Sequence, residues 1–281
     1  MKNKIPKYSF KSSPSIEFEI TTFEKIYQKS KQKMVVPHRQ NFFGIFYYLN
    51  SKGSHFVDFK KHSIKKRNIF FISDEQVHHF NNVEVTKGIV IFFTSSFLSH
   101  NNLVSRIFES NINFPKLLLS SNLAKKIESV FLLINQEYNS ENNYKKEILN
   151  NYLNILLYEI HQANEKKNIN YKTNIDYIRF LQFKNHLRKY SKENKNVKFY
   201  SDKQFITTKT LNLSVRKIVD KSGKEFIDEY IIICAKRLLV NSEITVKEIA
   251  YNLGFNEPTN FIKFFKRLEK KSPSKFRKSL F

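Results

Sequence analysis

Cysteine is almost absent from the chain, which contains a single one, Cys234. One thiol excludes a disulfide framework, a four-cysteine zinc site and a redox pair. No apolar run reaches the roughly 18 residues of a membrane span, and the N-terminal KNKIPKYSFK lacks a secretory apolar region. The sequence also has no nucleophile elbow, P-loop or Rossmann glycine run. These absences predict a soluble, cytoplasmic protein with no membrane partner.

Positive charge is what the chain has in excess. It carries 49 Lys and Arg against 25 Asp and Glu, a formal charge of +24 and a pI near 9.8. Residues 180–281 hold 23 of the basic residues and only 10 of the acidic ones. This excess favours a polyanionic partner, either nucleic acid or an anionic membrane surface. A general bias of the chain toward Lys and Asn gives the same numbers, so charge alone leaves both explanations open.

The first part of the chain, residues 1–115, is rich in short apolar runs. FFGIFYYL, SHFVDF, NIFFI and GIVIFF each have the length of a strand and are separated by polar breaks such as NSKG. Their succession predicts a small barrel or sandwich.

Residues 116–163 change character and predict an antiparallel pair of helices, over 117–138 and about 141–163. The apolar stripes of these helices can pack on the chain's own barrel or on a second copy in a homodimer. The sequence does not favour either alternative. The polar residues 164–177 are interpreted as a linker, and 178–281 as a further, helical domain. The predicted fold class is therefore α+β.

The last forty residues predict two helices joined by a tight turn and followed by a capped terminal helix. Thr245 and Glu248 have the spacing of a capping box, and Gly254 stands where a left-handed turn residue is needed. Pro258 suits the first turn of the next helix, and Ser272 with Pro273 opens the last one. This order of parts is typical of a helix-turn-helix, in which the second helix lies in the DNA major groove.

The same pattern occurs a second time, about 50 residues earlier. NVKFYSDKQFIT from Asn196 aligns with TVKEIAYNLGFN from Thr245. Between the copies, Ser222 and Glu225 form another capping box, which opens a helix predicted to end near Val240. Some 18 residues span about 27 Å, against roughly 34 Å between successive major-groove faces. A duplicated reader of double-stranded DNA is a stronger prediction than one isolated motif.

The segment AKRLLVNSEITVKEIAYNLGFNEPTNFIKFFKRLEKKSPSKFR closely resembles the signature of the AraC/XylS family of bacterial transcription regulators, and the likeness extends back to about Ile178. The stretch PHRQNFFGIFYYLNSKGSHFVDFKKHSIKKRNIFFISDEQVHHF is similar, more loosely, to that family's cupin-like sensor domain. The resemblance implies a seven-helix DNA-binding domain and an N-terminal cupin-like β-barrel. It also implies a regulator that recruits or blocks RNA polymerase under the control of a small-molecule effector or a partner, with activation the commoner mode in the family.

The resemblance also implies the residues that face DNA. Residues matched to base-reading positions are Thr259, Asn260 and Lys263 in the second motif, and Lys209, Thr210, Asn212 and Leu213 in the first. Residues better placed for phosphates, which set affinity and register without reading sequence, are Arg216, Lys217, Lys266 and Arg267.

Three departures from the family pattern lie mostly in the first motif. Leu213 stands where arginine is frequent, which removes a guanine contact and leaves a thymine methyl contact open. Phe205 occupies the turn position that Gly254 fills in the second copy. Asp220 and Lys270 replace a frequent glycine. We therefore expect the second motif to carry most of the sequence reading.

A metal site in the N-terminal domain is not expected. Cupin barrels often use two histidines spaced H-x-H, a glutamate and a later histidine. Here His38 is followed by Gln40, Gly44 takes the glutamate position, and only His78 remains as the later imidazole. Candidates for a small-molecule pocket, chosen by strand alternation, are His38, Phe46, Tyr48, His55, His78 and Phe92; core packing is the competing interpretation of each aromatic.

The sequence thus predicts a DNA-binding transcription regulator without a cofactor, and not an enzyme. Two alternatives are a cupin-type metal enzyme with a DNA-binding tail and an architectural protein that binds DNA without regard to sequence. Stoichiometric iron, manganese or zinc in the purified protein would favour the first.

Overall fold

The computed structural model describes residues 5–10, 17–50, 52–74, 76–97, 116–167, 175–240 and 243–279. They fall into two compact units, Pro6–Lys166 and Lys167–Phe281, and the second of these also includes Met1–Ile5. Within these ranges no helix is long and apolar enough to cross a bilayer.

The N-terminal unit contains ten described strands and three helices. The strands are β1 (Lys7–Tyr8), β2 (Phe18–Thr22), β3 (Arg39–Gln40), β4 (Phe43–Tyr48), β5 (Ser54–Val57), β6 (Lys60–Ser63), β7 (Asn68–Ile72), β8 (His78–Asn81), β9 (Gly88–Phe93) and β10 (Lys116–Leu118). The helices are α1 (Phe23–Met34), α2 (Ser121–Tyr138) and α3 (Lys145–Lys167).

A five-stranded antiparallel sheet in the order β10-β7-β4-β9-β2 is the centre of this unit. Its central strand β4 is apolar at every position because both faces are covered. Ile45 and Tyr47 pack toward α2 and α3, whereas Phe46 and Tyr48 pack with α1 and with Val57 of the smaller sheet. The two cores therefore lie on opposite sides of one sheet.

The described strands do not close into the predicted barrel. Strands β5, β6 and β8 form a separate three-stranded sheet in the order β6-β5-β8, and β1 pairs in parallel with β3. Among the described residues, the outer edge of β8 carries one further pairing, an isolated antiparallel β-bridge between His78 of β8 and His38. The unit is a mixed helix and strand fold in which the five-stranded and three-stranded sheets share one core. A closed barrel would need further hydrogen-bonded strand pairs between the edges of these sheets.

Helix α1 was not separated from the strand-rich region in the sequence analysis. Its sequence FEKIYQKSKQKM is mostly polar and buries only Phe23, Tyr27 and Met34. Thr22 caps it by accepting a hydrogen bond from the Lys25 backbone N–H at 3.3 Å. Three apolar residues spread over 12 positions give a weak helical signal, which the neighbouring apolar runs obscured.

The predicted helix pair is confirmed, with shifted boundaries. Leu117 belongs to strand β10, and α2 begins at Ser121 behind the cap Ser120. Helix α3 begins at Lys145 and continues to Lys167, into the predicted linker, whose residues 168–174 lie outside the described part. Both apolar stripes pack on the chain's own sheet. The stripe of α3 is Leu149, Leu153, Leu156, Leu157 and Ile160, and Ile155 lies on the exposed side.

The C-terminal unit contains seven helices among its described residues, as the family resemblance implied. They are α4 (Ile175–Tyr190), α5 (Val197–Asp202), α6 (Thr208–Val219), α7 (Gly223–Leu239), α8 (Val246–Asn252), α9 (Pro258–Glu269) and α10 (Pro273–Lys278). Helices α5 and α6 form the first helix-turn-helix, and α8 and α9 form the second.

Helix α7 is shared by the cores of both motifs. Its first half contributes Phe226, Ile227 and Ile231 to the core around α4, α5 and α6. Its second half contributes Ile233 and Leu239, with other residues, to the core around α8, α9 and α10. Burial of opposite faces at the two ends explains why the segment YIIICAKRLL is almost uniformly apolar.

The predicted helix signals of this unit are confirmed. Ser222 and Thr245 both form complete capping boxes, with Glu225 and Glu248 respectively. Pro258 begins α9, and Ser272 caps α10. Such signals are local chemistry between residues three apart, so they can be predicted without knowledge of the fold.

Candidate nucleic-acid interface

The exposed face of α9 carries side chains that are free to bind a partner. Phe261 and Phe265 bury the opposite face of this helix in the core. Thr259, Asn260 and Lys263, which were predicted to read bases, are all exposed. Their side chains, and that of Lys266, make no hydrogen bond or ion pair within the part of the chain that the structure describes. A helix face whose polar side chains are not bonded within their own domain is suited to contacts in the major groove.

Helix α6, which was predicted to read bases in the first motif, presents a different surface. Leu211, Ser214 and Val215 are buried. Lys209, Leu213 and Arg216 are exposed and lie at positions i, i+4 and i+7, on one face of the helix. These three predicted contact residues therefore remain available to DNA.

Two predicted base-reading residues of α6 are engaged inside the domain. The Asn212 side-chain amide donates to the Thr208 carbonyl at 3.0 Å, and its oxygen accepts from the Gly223 backbone N–H at 2.8 Å. The Thr210 hydroxyl lies 2.8 Å from the Thr207 hydroxyl. Because both polar groups of its amide are satisfied, we reassign Asn212 from base reading to holding the first turn of α7 against α6.

Two predicted phosphate contacts are also engaged, in equivalent ion pairs. Lys217 of α6 donates to Asp176 of α4 at 2.6 Å, and Arg267 of α9 donates to Asp228 of α7 at 2.8 Å. Each carboxylate lies on the helix that precedes its helix-turn-helix. Both side chains stay largely exposed, but their charged ends are bound to buried carboxylates, so we assign Lys217 and Arg267 to positioning α6 and α9. Arg216 and Lys266 remain as the predicted phosphate contacts.

Asp176 and Asp228 are the functional residues that the sequence analysis missed. Asp176 also accepts from the Ser214 hydroxyl at 2.7 Å, and Asp228 accepts from Lys224 at 2.6 Å. Hydrogen bonds from the Lys217 ammonium and the Ser214 hydroxyl lower the pKa of Asp176. The sequence does not single them out, because both helices carry other charged residues and the offset of about 50 residues between the copies does not align Asp176 with Asp228.

The turn of the second motif packs against the first half of the domain. Gly254 adopts φ +71°, and a Cβ there would stand 1.6 Å from the carbonyl oxygen of Lys192. The Lys195 ammonium donates to the Gly254 carbonyl at 2.6 Å and lies 4.6 Å from the centre of the Phe255 ring. These contacts join the turn of the second motif to the segment that leads into α5, in addition to the shared helix α7.

Phe205 takes the equivalent turn position in the first motif, but it projects into solvent, whereas Gly254 packs against the Lys192 backbone. It shares the left-handed conformation, with φ +54°, but its side chain is 97 % exposed. Asp220 and Lys270 end α6 and α9 in the same conformation, with φ +53° and +58°. The predicted departures from glycine therefore fall on backbone positions that do favour glycine.

The structure brings the six predicted pocket residues of the N-terminal unit together, but packs them against one another. His55 lies 3.2 Å from His78, which lies 3.2 Å from the Gln40 side-chain oxygen. Tyr48 reaches the other nitrogen of His55 at 3.4 Å. The ring of Phe46 contacts those of His55, His78 and Phe92 at centroid distances of 5.4–6.0 Å. His38 packs on His78 at 4.2 Å. We name His38, His55 and His78 the histidine cluster.

Burial sets the protonation of the histidine cluster. It lowers the pKa of His38 to about 4 and those of His55 and His78 well below the usual value. Neighbouring imidazoles act in the same direction, since a second charge would be repelled. In the described residues no three His, Cys, Asp or Glu side chains are arranged to hold a metal ion. The cluster is a neutral, hydrogen-bonded part of the core.

Comparison with known proteins agrees with the assignment of the C-terminal unit. Residues 200–279 match a family model described as a helix-turn-helix domain. The chain is 43 % identical over 79 residues to the Msm operon regulatory protein of Streptococcus mutans serotype c, a match that covers 26 % of this chain and 28 % of that protein. The chain therefore spans under a third of this curated relative.

Solved structures to which the chain is similar include ToxT from Vibrio cholerae and the C-terminal domain of the two-component response regulator yesN from Fusobacterium nucleatum. The ToxT match is 14 % identical, covers 93 % of this chain and 98 % of that one, and has a TM-score of 0.44. The yesN match is 22 % identical, covers 34 % and 93 % of the two chains, and has a TM-score of 0.32. The family model and the sequence relative, together with the duplicated motif, show that residues 200–279 are a helix-turn-helix domain, and this domain resembles those of the AraC/XylS family.

Proposed function

We propose that the chain is a sequence-specific DNA-binding transcription regulator. The observation that carries this proposal is the exposed face of α9, where Thr259, Asn260, Lys263 and Lys266 have no partner among the described residues. A second helix, α6, is fixed to it through α7 and through the joint between Gly254 and Lys192. Two reading helices in a fixed relation suit two adjacent segments of the major groove.

The two helices divide the work in this proposal. Asn260 can pair with an adenine edge and Lys263 with guanine, so α9 supplies hydrogen-bonded base reading. Lys266 and Arg216 contact phosphates, which adds affinity without sequence information. The net positive charge of the C-terminal third adds a further, salt-dependent attraction.

The N-terminal unit supplies regulation in this proposal, through a small-molecule effector or a second copy of the chain. Exposed apolar side chains on the outer faces of α2 and α3 support homodimer formation: Leu132, Leu133, Ile155 and Tyr158. The family resemblance supports activation of RNA polymerase as the mode of action. In vitro transcription from a promoter that carries the selected DNA site, with and without the protein, tests activation against repression.

Replacement of Lys263 by alanine is expected to change the preferred DNA sequence, because Lys263 faces the bases. Replacement of Lys266 is expected to weaken binding to all sequences alike and to reduce the salt dependence by about one counterion. Selection of each variant and of the wild type on a randomised duplex library, followed by affinity measurements at several salt concentrations, distinguishes the two roles.

Both variants remove one lysine from the same exposed face of α9, so each is the charge-matched control of the other. Identical effects of the two substitutions on sequence preference would contradict the division between base and phosphate contacts. Arg267→Ala is the third arm, and we expect it to lower the thermal stability of the domain because the buried Asp228 carboxylate loses one of its two cationic partners.

A further inference from the structure

The two reading helices present different chemistry at equivalent positions. Lys209, Leu213 and Arg216 on α6 correspond to Thr259, Lys263 and Lys266 on α9 in helix position and in exposure. The middle position is thus an aliphatic side chain in the first motif and an ammonium in the second. Leu213 is 50 % exposed, on a face where its neighbours are charged.

Polar base readout is largely absent around Leu213. Asn212 has both ends of its amide bonded inside the domain, and the Thr210 hydroxyl is paired with Thr207. The free polar groups left on this face are the ends of Lys209 and Arg216, which are long and flexible. Leu213 is therefore the short, well-placed side chain at the centre of the first motif, and it can neither donate nor accept a hydrogen bond.

The residues around Leu213 indicate which kind of partner binds over it. Together with Val197 and Asn212 it lines a groove of about 460 Å³, whose other lining residues include the cations Lys209 and Arg216. An apolar protein partner would have to bury these two charges without compensation, which is costly. A DNA duplex instead offers phosphates to the cations. It also offers one apolar group in the major groove, the 5-methyl group of thymine.

We propose that the first motif reads DNA through a contact between Leu213 and a thymine 5-methyl group. The inference rests on the proposed function and adds the chemistry of one half-site. The operator would then consist of a half-site read by hydrogen bonds to α9 and a half-site in which a methyl group, rather than a donor or acceptor, is recognised by α6.

The test removes one methyl group at a time from the DNA. Each thymine of a library-selected site is replaced by deoxyuridine, which keeps base pairing and every hydrogen-bonding group, and affinity is measured with the full-length protein. Loss of one buried methyl is expected to weaken wild-type binding about 4-fold at one or two positions of the first half-site. 5-Bromodeoxyuridine, whose bromine is close in size to a methyl group, is expected to restore it.

Variants locate the contact on the protein. Leu213→Ala is expected to bind thymine and deoxyuridine sites equally at those positions, whereas Lys263→Ala keeps the difference. Leu213 is half-exposed, so the fold of the variant is checked by an unchanged melting temperature. If a selected site is bound specifically but no thymine-to-deoxyuridine change matters, or if the effect persists in Leu213→Ala, the inference is overturned while the proposed function stands. If no DNA site can be selected at all, the proposed function is overturned, and the inference about Leu213 is overturned with it.

Discussion

Replacement of Gly254 by alanine is expected to disrupt the second helix-turn-helix and abolish specific DNA binding. The left-handed backbone alone costs an alanine about 1–2 kcal/mol. The added Cβ would also stand 1.6 Å from the Lys192 carbonyl oxygen, and a backbone atom cannot move aside as a side chain would. The joint between the motifs must therefore open, with loss of the Lys195 contacts to Gly254 and Phe255. Urea denaturation followed by circular dichroism, together with DNA affinity, measures both losses.

Phe205→Gly is the matched control, at the equivalent turn position of the first motif. Its backbone has the same sign of φ, and its side chain is almost fully exposed. Glycine relieves the left-handed strain, while it adds about 0.5–1 kcal/mol of chain entropy to the unfolded state. We expect stability to be unchanged or raised by up to about 1 kcal/mol. Equal destabilisation by Gly254→Ala and Phe205→Gly would contradict the structural difference between the two turns.

Acidification is expected to unfold the N-terminal unit through the histidine cluster. An unfolded histidine binds a proton near pH 6.5, whereas burial holds the pKa of His38 at about 4 and those of His55 and His78 well below normal. The unfolded state therefore takes up protons first as the pH falls. The stability is complete above about pH 6.5 and is lost progressively below it. His38 alone accounts for about 3 kcal/mol at pH 4.

Hydrogen exchange of the backbone amides of β4 and β7, measured from pH 4 to 8 and corrected for intrinsic rates, reports this loss. Both strands belong to the sheet that packs over the cluster. His38→Gln removes one titrating group and keeps a donor for the Val36 carbonyl, which His38 contacts at 2.9 Å. We expect this variant to have a shallower pH dependence. Protection that does not change between pH 7 and pH 4.5 would refute a neutral buried cluster.

The C-terminal unit was predictable because its signals are local. Capping boxes, a proline at a helix start and glycine at a turn act over three or four residues, and the sequence shows the first two of these signals twice each. The roles of Asn212, Lys217 and Arg267 could not be predicted in this way. Each depends on a partner on another helix, at Gly223, Asp176 or Asp228, and an exposed cation in a sequence does not reveal where its charge is bound.

The N-terminal unit was predicted only at the level of strands followed by a helix pair. Apolar runs identify strands that are buried on both faces, but they do not fix which edges pair, so a barrel and two stacked sheets read alike. The aromatic and histidine residues chosen by alternation do lie together. Whether such a group surrounds a cavity or fills the core depends on how close the two sheets approach, which no spacing in the sequence encodes.

The central claim is that the chain reads DNA sequence rather than charge. It is tested most directly by the ratio of two dissociation constants, one for random duplex DNA and one for a library-selected site, measured with the full-length protein at about physiological salt. We expect a ratio of at least about 10³. A ratio near one would contradict it and leave an architectural binder held by the basic surface alone.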